Sequence, residues 1–596
     1  MITTNMSFYQ YWRDINQANS SLKALEYFGK SWTFTEVKQM IIKYAKAISK
    51  LKIENGKSIT ICAPLIPAST VLIYAANMLG IQINLISEEL LKYNPKKYLE
   101  ETDTDTLIIL DVFLHKVTPQ AVYATNIKNI ILISFADDSL SPEAIIEKLK
   151  LPNLFGAFTM AGVPEHINLM NKEQFYNFGE DVLDDPISVF VPESTAVVLY
   201  TGGSTGIPKG VELYNEKINR VAQLCTEVNL DYIPGDRNLL LIPPNHPTSL
   251  VHGLIAPWAC HEGGITQVCQ PIYNRFTFAK DIVENNIQSV VAAPSHYATL
   301  PTSGLNPGDL VNFKNPFCGG EPIPYELALA INKALSHASC KTELIYAYGM
   351  SELGPTAMVS PHVKGLGNKV GKPVPGVEVR IVDDEGNILG ANQRGNLQIK
   401  AECAMKGYFK NAELTKSFYT KDGFGKTGDI AIKDDNGYYS VPGRAGDSYV
   451  IKSNDKTERI YLFDIENYVY KAAPEVILEA EAVGLSIENK SEKIPVVHIV
   501  LNEEYKNREE EALILLTEKC NAELNCHEIP KGFKFRDKFA TNSASGKRDF
   551  KSLTKERDDY LRYNDGKVEK ISFIKNGSIV CETVYMEDYC KNGKEI

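Results

Sequence analysis

The chain has 596 residues, 44% of them apolar and 23% charged, with a formal net charge of −11. That length is beyond a single hydrophobic core and predicts roughly two to four compact units. The composition excludes a disordered chain, and the acidic balance excludes a surface built broadly for nucleic acid.

The N-terminus, "MITTNMSFYQYWRDINQ", has neither the basic region nor the apolar core of a signal peptide. "FTEVKQMIIKYAKAISKL" follows, an amphipathic helix with Val37, Ile41, Ile42, Ala45 and Ile48 at helical spacing. Residues 59–87 carry no charge over a membrane-spanning length. Pro64, Pro67 and Gly80 divide that stretch into strand, helix and strand, and Asn77, Gln82 and Asn84 interrupt its apolar face. A buried βαβ unit is therefore expected, not a membrane span. "TLIILD", "NIILIS", "SVVAAP" and "TELIYAYG" continue the style to residue 350, so the fold class is α/β, with largely parallel sheets covered on both faces.

Past residue 370 the texture changes to short alternating strands with Glu-Gly and Asn-Gly turns, as in "GVEVRIVDDEGNILG" and "GDIAIKDDNGYYSVPGR". These predict a small antiparallel, barrel-like subdomain closing a large unit over residues 1–443. Gly443 and Gly446 bracket a charged turn at 443–447. A compact α+β unit then runs over 447–555, with helices near "FDIENYVYKA" and "REEEALILLTEKCNAELN" around the strand "IPVVHIVL". Residues 556–596 read as an added β-hairpin turning at Asn576-Gly577. The eleven cysteines form no CxxC pair and no Cys/His cluster at zinc spacing, which reads as reduced thiols of a cytoplasmic protein.

One loop invites a chemical reading. "TGGSTGIPKG", residues 201–210, follows the apolar run "TAVVL". Glycines there let backbone N–H groups converge on an anion, Thr201, Ser204 and Thr205 add hydroxyls, and Lys209 adds charge. It is not a Walker A loop, because Ile207 and Pro208 separate Gly206 from Lys209. By itself such a loop is either a phosphate cradle or an ordinary turn.

Together with "SWTFTEV" (31–37), "CGGEPIP" (318–324), "AYGMSE" (347–352), "KTGDIAIKDDNGYYSVPGRAGD" (426–447) and "SASGKRDF" (543–550), the loop resembles the ordered motifs of the adenylate-forming superfamily. That superfamily includes acyl-CoA synthetases, peptide-synthetase adenylation domains and luciferases. The resemblance spans about residues 5 to 555 and implies a large unit followed by a small mobile one. It also implies a reaction in which a carboxylate attacks the α-phosphate of ATP and pyrophosphate leaves. Bringing an anion to an anion calls for charge neutralisation and positioning.

The resemblance implies these roles. Thr201, Gly202, Gly203, Ser204, Thr205, Gly206 and Lys209 hold the β- and γ-phosphates. Gly320, Glu321 and Pro322 lie along adenine, and Tyr348, followed by Gly349 and Met350, stacks on it. Glu352 binds magnesium, a role suited to a hard carboxylate beside phosphate oxygens, and Ser351 offers a hydroxyl near the α-phosphate. Asp429, acceptor-only when ionised, takes both ribose hydroxyls. Arg444 touches ribose or phosphate, Asp447 is the hinge, and Lys547 is the catalytic cation bridging the acid and the α-phosphate. His246 marks the mouth of the acyl pocket, with His252 competing for that alignment.

The stretch "PPNHPTSLVHG" has no acid to receive an α-ammonium group, so a fatty or aryl acid is expected, with CoA as the thiol. Two departures from the family pattern stand out. Asn454-Asp455 replaces the glycine expected after the hinge, which bears on the thiol step, and Tyr346 stands where a smaller polar residue commonly reads adenine. Alternatives are transfer to a carrier-protein phosphopantetheine, or a low-turnover adenylate-binding regulatory protein. The acid's identity and the oligomeric state stay open at this stage.

Overall fold

The computed structural model describes residues 3–54, 56–117, 119–140, 145, 163–201, 208–453, 456–486, 493–539, 553, 560–564, 567–573 and 579–583. Two large sheets organise the first 440 residues. In the eight-stranded sheet, Gln82–Leu85, Ser58–Cys62, Thr104–Leu110, Asn129–Ile133 and Asn168–Asn171 run parallel, with Thr195–Thr201 beside Gln82–Leu85. In the nine-stranded sheet, parallel pairing joins Arg237–Leu240, Thr266–Cys269, Ser289–Ala292, Asn315–Gly319 and Ile345–Met350. Strands of this kind are buried on both faces, as Ser58–Cys62 and Thr104–Leu110 are at every position.

The uncharged stretch 59–87 resolves as expected into the strand Ser58–Cys62, the helix Pro67–Met78 and the strand Gln82–Leu85. The helix is buried at all its residues, which explains its lack of a polar face. Two of the polar interruptions of the stretch make hydrogen bonds within the fold. Asn77 donates to Asn215 at 2.7 Å and accepts from the backbone of Tyr9, while Asn84 donates to Thr60 at 2.8 Å. Among the described residues no helix is long and apolar enough to cross a membrane. The helix Phe34–Lys50 starts at Thr33 with a capping box closed by Glu36.

The segment expected to be barrel-like is instead an open four-stranded antiparallel sheet, Val377–Val382, Arg394–Ala401, Gly425–Lys433 and Tyr439–Arg444, with its first and last strands at opposite edges. Alternation and turns specify neighbouring pairs; whether the outer strands meet is a non-local matter. The main core ends with Tyr439 and Val441, and a second core begins at Tyr449. Around the second core lies a six-stranded sheet in chain order: Ile477–Ser486, Lys493–Leu501, Phe533–Arg536, Tyr560–Asn564, Lys567–Phe573 and Ile579–Thr583. The last two strands pair antiparallel with Phe573 opposite Ile579, while the turn at Asn576-Gly577 lies outside the described residues. The tail is thus continuous with the small unit's sheet rather than a separate hairpin, because Tyr560–Asn564 pairs with Phe533–Arg536 at Phe533 and Leu561.

Candidate active site

The strands Thr195–Thr201 and Lys209–Tyr214 pair antiparallel with Thr201 opposite Lys209, so the glycine-rich loop joins two hydrogen-bonded strands at the sheet's end. Gly202, Gly203, Ser204, Thr205 and Gly206 lie outside the described residues, as does Lys547. On the far side of Lys209–Tyr214 the two-residue strand Gly407–Tyr408 sets Tyr408 opposite Val211. That register puts the Lys209 ammonium 5.3 Å from the centre of the Tyr408 ring. The Tyr408 hydroxyl in turn donates to Glu352 Oε1 at 2.9 Å.

Glu352 and Ser351 form a buried 3₁₀ turn between the strands Ile345–Met350 and Gly354–Val359. Burial raises the Glu352 pKa above the usual carboxylate value, opposed by the Tyr408 hydrogen bond and by the positive fields of Arg444 and Lys209. The lysine of "TGGSTGIPKG" and the acidic residue of "AYGMSE" thus meet through a tyrosine that belongs to neither motif.

A second cluster gathers around Asp429, which is buried on the strand Gly425–Lys433. Tyr348 donates its hydroxyl to Asp429 Oδ2, and Arg444 Nε lies 3.0 Å from Oδ1. Arg444 is the cross-strand partner of Asp429, and its Nη1 also donates to the Thr427 carbonyl at 3.1 Å. The Thr427 hydroxyl accepts from the Asp429 N–H at 3.0 Å, fixing the carboxylate's base. Burial and the adjacent carboxylate push the Tyr348 hydroxyl far above its ordinary pKa, so it stays a proton donor. The charge of Asp429 raises the pKa of Arg444. Asp447, just beyond, has its pKa raised by burial. Its N–H bonds to the Arg444 carbonyl, and its own carbonyl accepts from Leu462 N–H at the start of the next helix.

The turn after Asn315–Gly319 places Gly320 at φ +88°, in the left-handed region, with Glu321 half-buried and Pro322 exposed. Tyr346 is buried and donates its hydroxyl to the Glu321 carbonyl at 2.8 Å, so this departure from the family pattern ties the turn to the strand carrying Tyr348. Gly349 is required by close approach: a Cβ there would stand 2.1 Å from the Pro355 carbonyl oxygen.

His246 is half-buried and accepts at its carbonyl from Leu250 N–H at 2.9 Å, just before a π-helical segment, Thr248–Ile255. Such segments are frequent at functional sites. His252 lies within it and is deeply buried, with Nε2 2.6 Å from the Thr356 hydroxyl and its ring stacked on Phe317 at 5.5 Å. Burial lowers its pKa to about 4, so the imidazole is neutral at physiological pH.

The described residues therefore bring together Lys209, Tyr348, Glu352, Asp429 and Arg444 from three separated motifs. Tyr408 and Thr427 were missed in the sequence. Tyr408 had no local signal, and Thr427 lay inside a quoted motif without a role. Among the described residues no three or more His, Cys, Asp or Glu side chains gather as a metal cluster. Glu352 suits magnesium shared with phosphate oxygens, since that ion is commonly held by one or two carboxylates plus substrate phosphate.

Residues 12–409 match the family described as AMP-binding enzyme. A probable CoA ligase of Humulus lupulus is 25% identical over 430 residues, which is 69% of this chain and 64% of that protein, just under two thirds of its length. The long-chain-fatty-acid–CoA ligase of Bacillus subtilis (strain 168) is 24% identical over 528 residues, 86% of this chain and 88% of that one. Among solved structures, the anthranilate CoA ligase AuaEII in complex with anthranoyl-AMP superimposes with a TM-score of 0.73 at 19% identity. That superposition covers 93% of this chain and 97% of the other.

Proposed function

We infer that this chain, which belongs to the AMP-binding enzyme family, is an AMP-forming acid–thiol ligase. It joins a carboxylic acid to the α-phosphate of ATP, releases pyrophosphate and passes the acyl group to a thiol. The observation that carries the reading is the Tyr348–Asp429–Arg444 cluster, whose Arg444 charge also reaches Glu352. Asp429 receives Tyr348 on one oxygen and Arg444 on the other, and an ionised carboxylate, an acceptor only, is the group suited to the two ribose hydroxyls. Tyr348 and the Gly320–Pro322 turn flank adenine. Lys209 and the glycine loop neutralise the departing pyrophosphate, with Ser351 donating near the α-phosphate. Glu352 holds magnesium, which when bound supplies charge neutralisation at the phosphate oxygens. Lys547 approaches from the small unit, with Asp447 as hinge, and bridges the acid's carboxylate and the α-phosphate as charge develops.

The acid is fatty or aryl, because the His246 region offers no carboxylate for an ammonium group. CoA is the thiol, in keeping with the similar CoA ligases. Asn454-Asp455 in place of a glycine favours a second reading, transfer to a carrier-protein phosphopantetheine. Cys62, Cys225, Cys260, Cys269, Cys318, Cys340, Cys403, Cys520 and Cys526 are free thiols, which supports a reducing, cytoplasmic setting.

Acid-dependent pyrophosphate exchange tests the reading, with straight-chain, branched and aryl acids and with CoA or a phosphopantetheinyl carrier as acceptor. Exchange is expected to require an acid and to collapse in Lys547→Ala while ATP binding survives. A variant exchanging at the wild-type rate refutes the role of Lys547, and activated acid released only to the carrier replaces CoA as acceptor.

A further inference from the structure

Tyr408 has no role in the reaction as derived so far, yet the chain holds it from several sides. Residues 405–409 join the strand that carries Lys209 to the turn that carries Glu352. Towards the strand, Lys406 N–H donates to the Glu212 carbonyl at 3.0 Å and Phe409 N–H to the Gly210 carbonyl at 2.8 Å. Towards the turn, Met405 N–H donates to the Glu352 carbonyl at 3.0 Å. Tyr408 itself is buried, its ring meets Phe418 edge-on with centres 6.0 Å apart, and its N–H donates to the Thr415 hydroxyl at 2.9 Å. Thr415 and Phe418 both belong to the helix Ala412–Phe418.

Held in this way, the tyrosine offers two different surfaces. Its hydroxyl donates to Glu352 Oε1, and its ring faces the Lys209 ammonium. The two charges attract, since the field of Lys209 favours the ionised form of Glu352. Among the described residues they nevertheless form no direct ion pair, and each reaches the tyrosine instead. A direct pair would neutralise both groups before a ligand arrived. The hydrogen bond also fixes the plane of the carboxylate, which matters for magnesium because that ion demands near-ideal octahedral geometry.

We propose that Tyr408 is a positioning residue for Glu352 and Lys209: its hydroxyl aims the metal-binding carboxylate, and its ring seats the phosphate-binding cation and keeps it from pairing with that carboxylate. The proposal rests on the roles given to Glu352 and Lys209 above. Tyr408 touches neither ATP nor acid. Removing a group that orients a metal-binding side chain typically costs at least about 10-fold in metal affinity or activity.

The test compares full-length Tyr408→Phe and Tyr408→Leu with wild type and with Glu352→Gln. Tyr408→Phe keeps the ring against Phe418 and under Lys209 and removes only the hydroxyl, so it preserves the fold. Two quantities are read: the Mg2+ concentration giving half-maximal pyrophosphate exchange, and ATP affinity by calorimetry with and without Mg2+ in the absence of acid. In Tyr408→Phe the half-maximal Mg2+ concentration should rise about 10-fold. Its gain in ATP affinity on adding Mg2+ should shrink, while affinity without Mg2+ stays within twofold of wild type. In Tyr408→Leu affinity without Mg2+ should fall as well, because Lys209 loses its seat. A purely structural role would lower Tm and leave the Mg2+ response of Tyr408→Phe at wild type. That result, with Glu352→Gln deprived of its Mg2+ gain, overturns this inference alone. A wild-type Mg2+ gain in Glu352→Gln overturns the underlying assignment of magnesium to Glu352.

Discussion

His252 is a buried histidine whose cost at low pH can be worked from its surroundings. Replacing it by Gln keeps a neutral hydrogen-bonding group near Thr356 and removes the titration. In the folded chain its pKa is near 4, against 6.5 when unfolded. The sign follows from proton binding: below pH 6.5 the unfolded chain takes up the proton and the folded chain does not, so stability falls as pH drops towards 4. The separation is about 2.5 pH units, equivalent to about 3 kcal/mol below both values and to about 2 kcal/mol between pH 7.5 and 5. His296 is lowered to about 4 as well, but it is present in both proteins and cancels in the comparison. The three tryptophans, Trp12, Trp32 and Trp258, all lie in the large unit's core, so urea unfolding followed by their fluorescence reports on the unit holding His252. Between pH 7.5 and 5 the wild type should lose about 2 kcal/mol more than His252→Gln. Equal losses in the two proteins would mean that the imidazole is not held neutral.

Glu352→Gln should stop pyrophosphate exchange yet raise Tm at pH 7.5. The folded Glu352 pKa is raised by burial, so the wild type loses stability as pH climbs above about 4.5, and the two proteins converge near pH 4. Melting curves at both pH values check it, and a lower Tm for the variant at pH 7.5 would contradict the assignment. Gly349→Ala places a Cβ 2.1 Å from the Pro355 oxygen and 2.8 Å from the Thr356 nitrogen, both backbone atoms of the adjoining strand. It should cost about 1–3 kcal/mol and raise the KM for ATP, since Tyr348 and Glu352 sit on either side. Wild-type values of both Tm and KM would show that the strand yields freely.

Much of the fold could be read in advance because its signals are local. The run "SITIC" and the helix from Pro67 are determined by neighbouring residues whose apolar character demands burial on both faces. The division of 59–87 into strand, helix and strand followed from two prolines and a glycine, each acting on its own stretch of backbone. The roles expected of the glycine loop, "AYGMSE" and "TGD" rested likewise on local signals, contiguous donors and acceptors of the kind phosphate and ribose chemistry needs.

Interactions between distant segments could not be read that way. The Tyr408–Glu352 bond depends on Gly407–Tyr408 pairing beside Lys209–Tyr214, a register that neither segment encodes alone. Tyr348 and Asp429 meet because the sheets carrying them converge, and Arg444 reaches Asp429 because they are cross-strand partners. The four strands after residue 376 stayed open where their alternation suggested closure, and the tail extended the small sheet where its own residues suggested only a hairpin. Composition and motif choose the chemistry, because side-chain types and short-range geometry are properties of the chain. Tertiary structure chooses the partners, because hydrogen bonds and burial across hundreds of residues exist only once the sheets have formed.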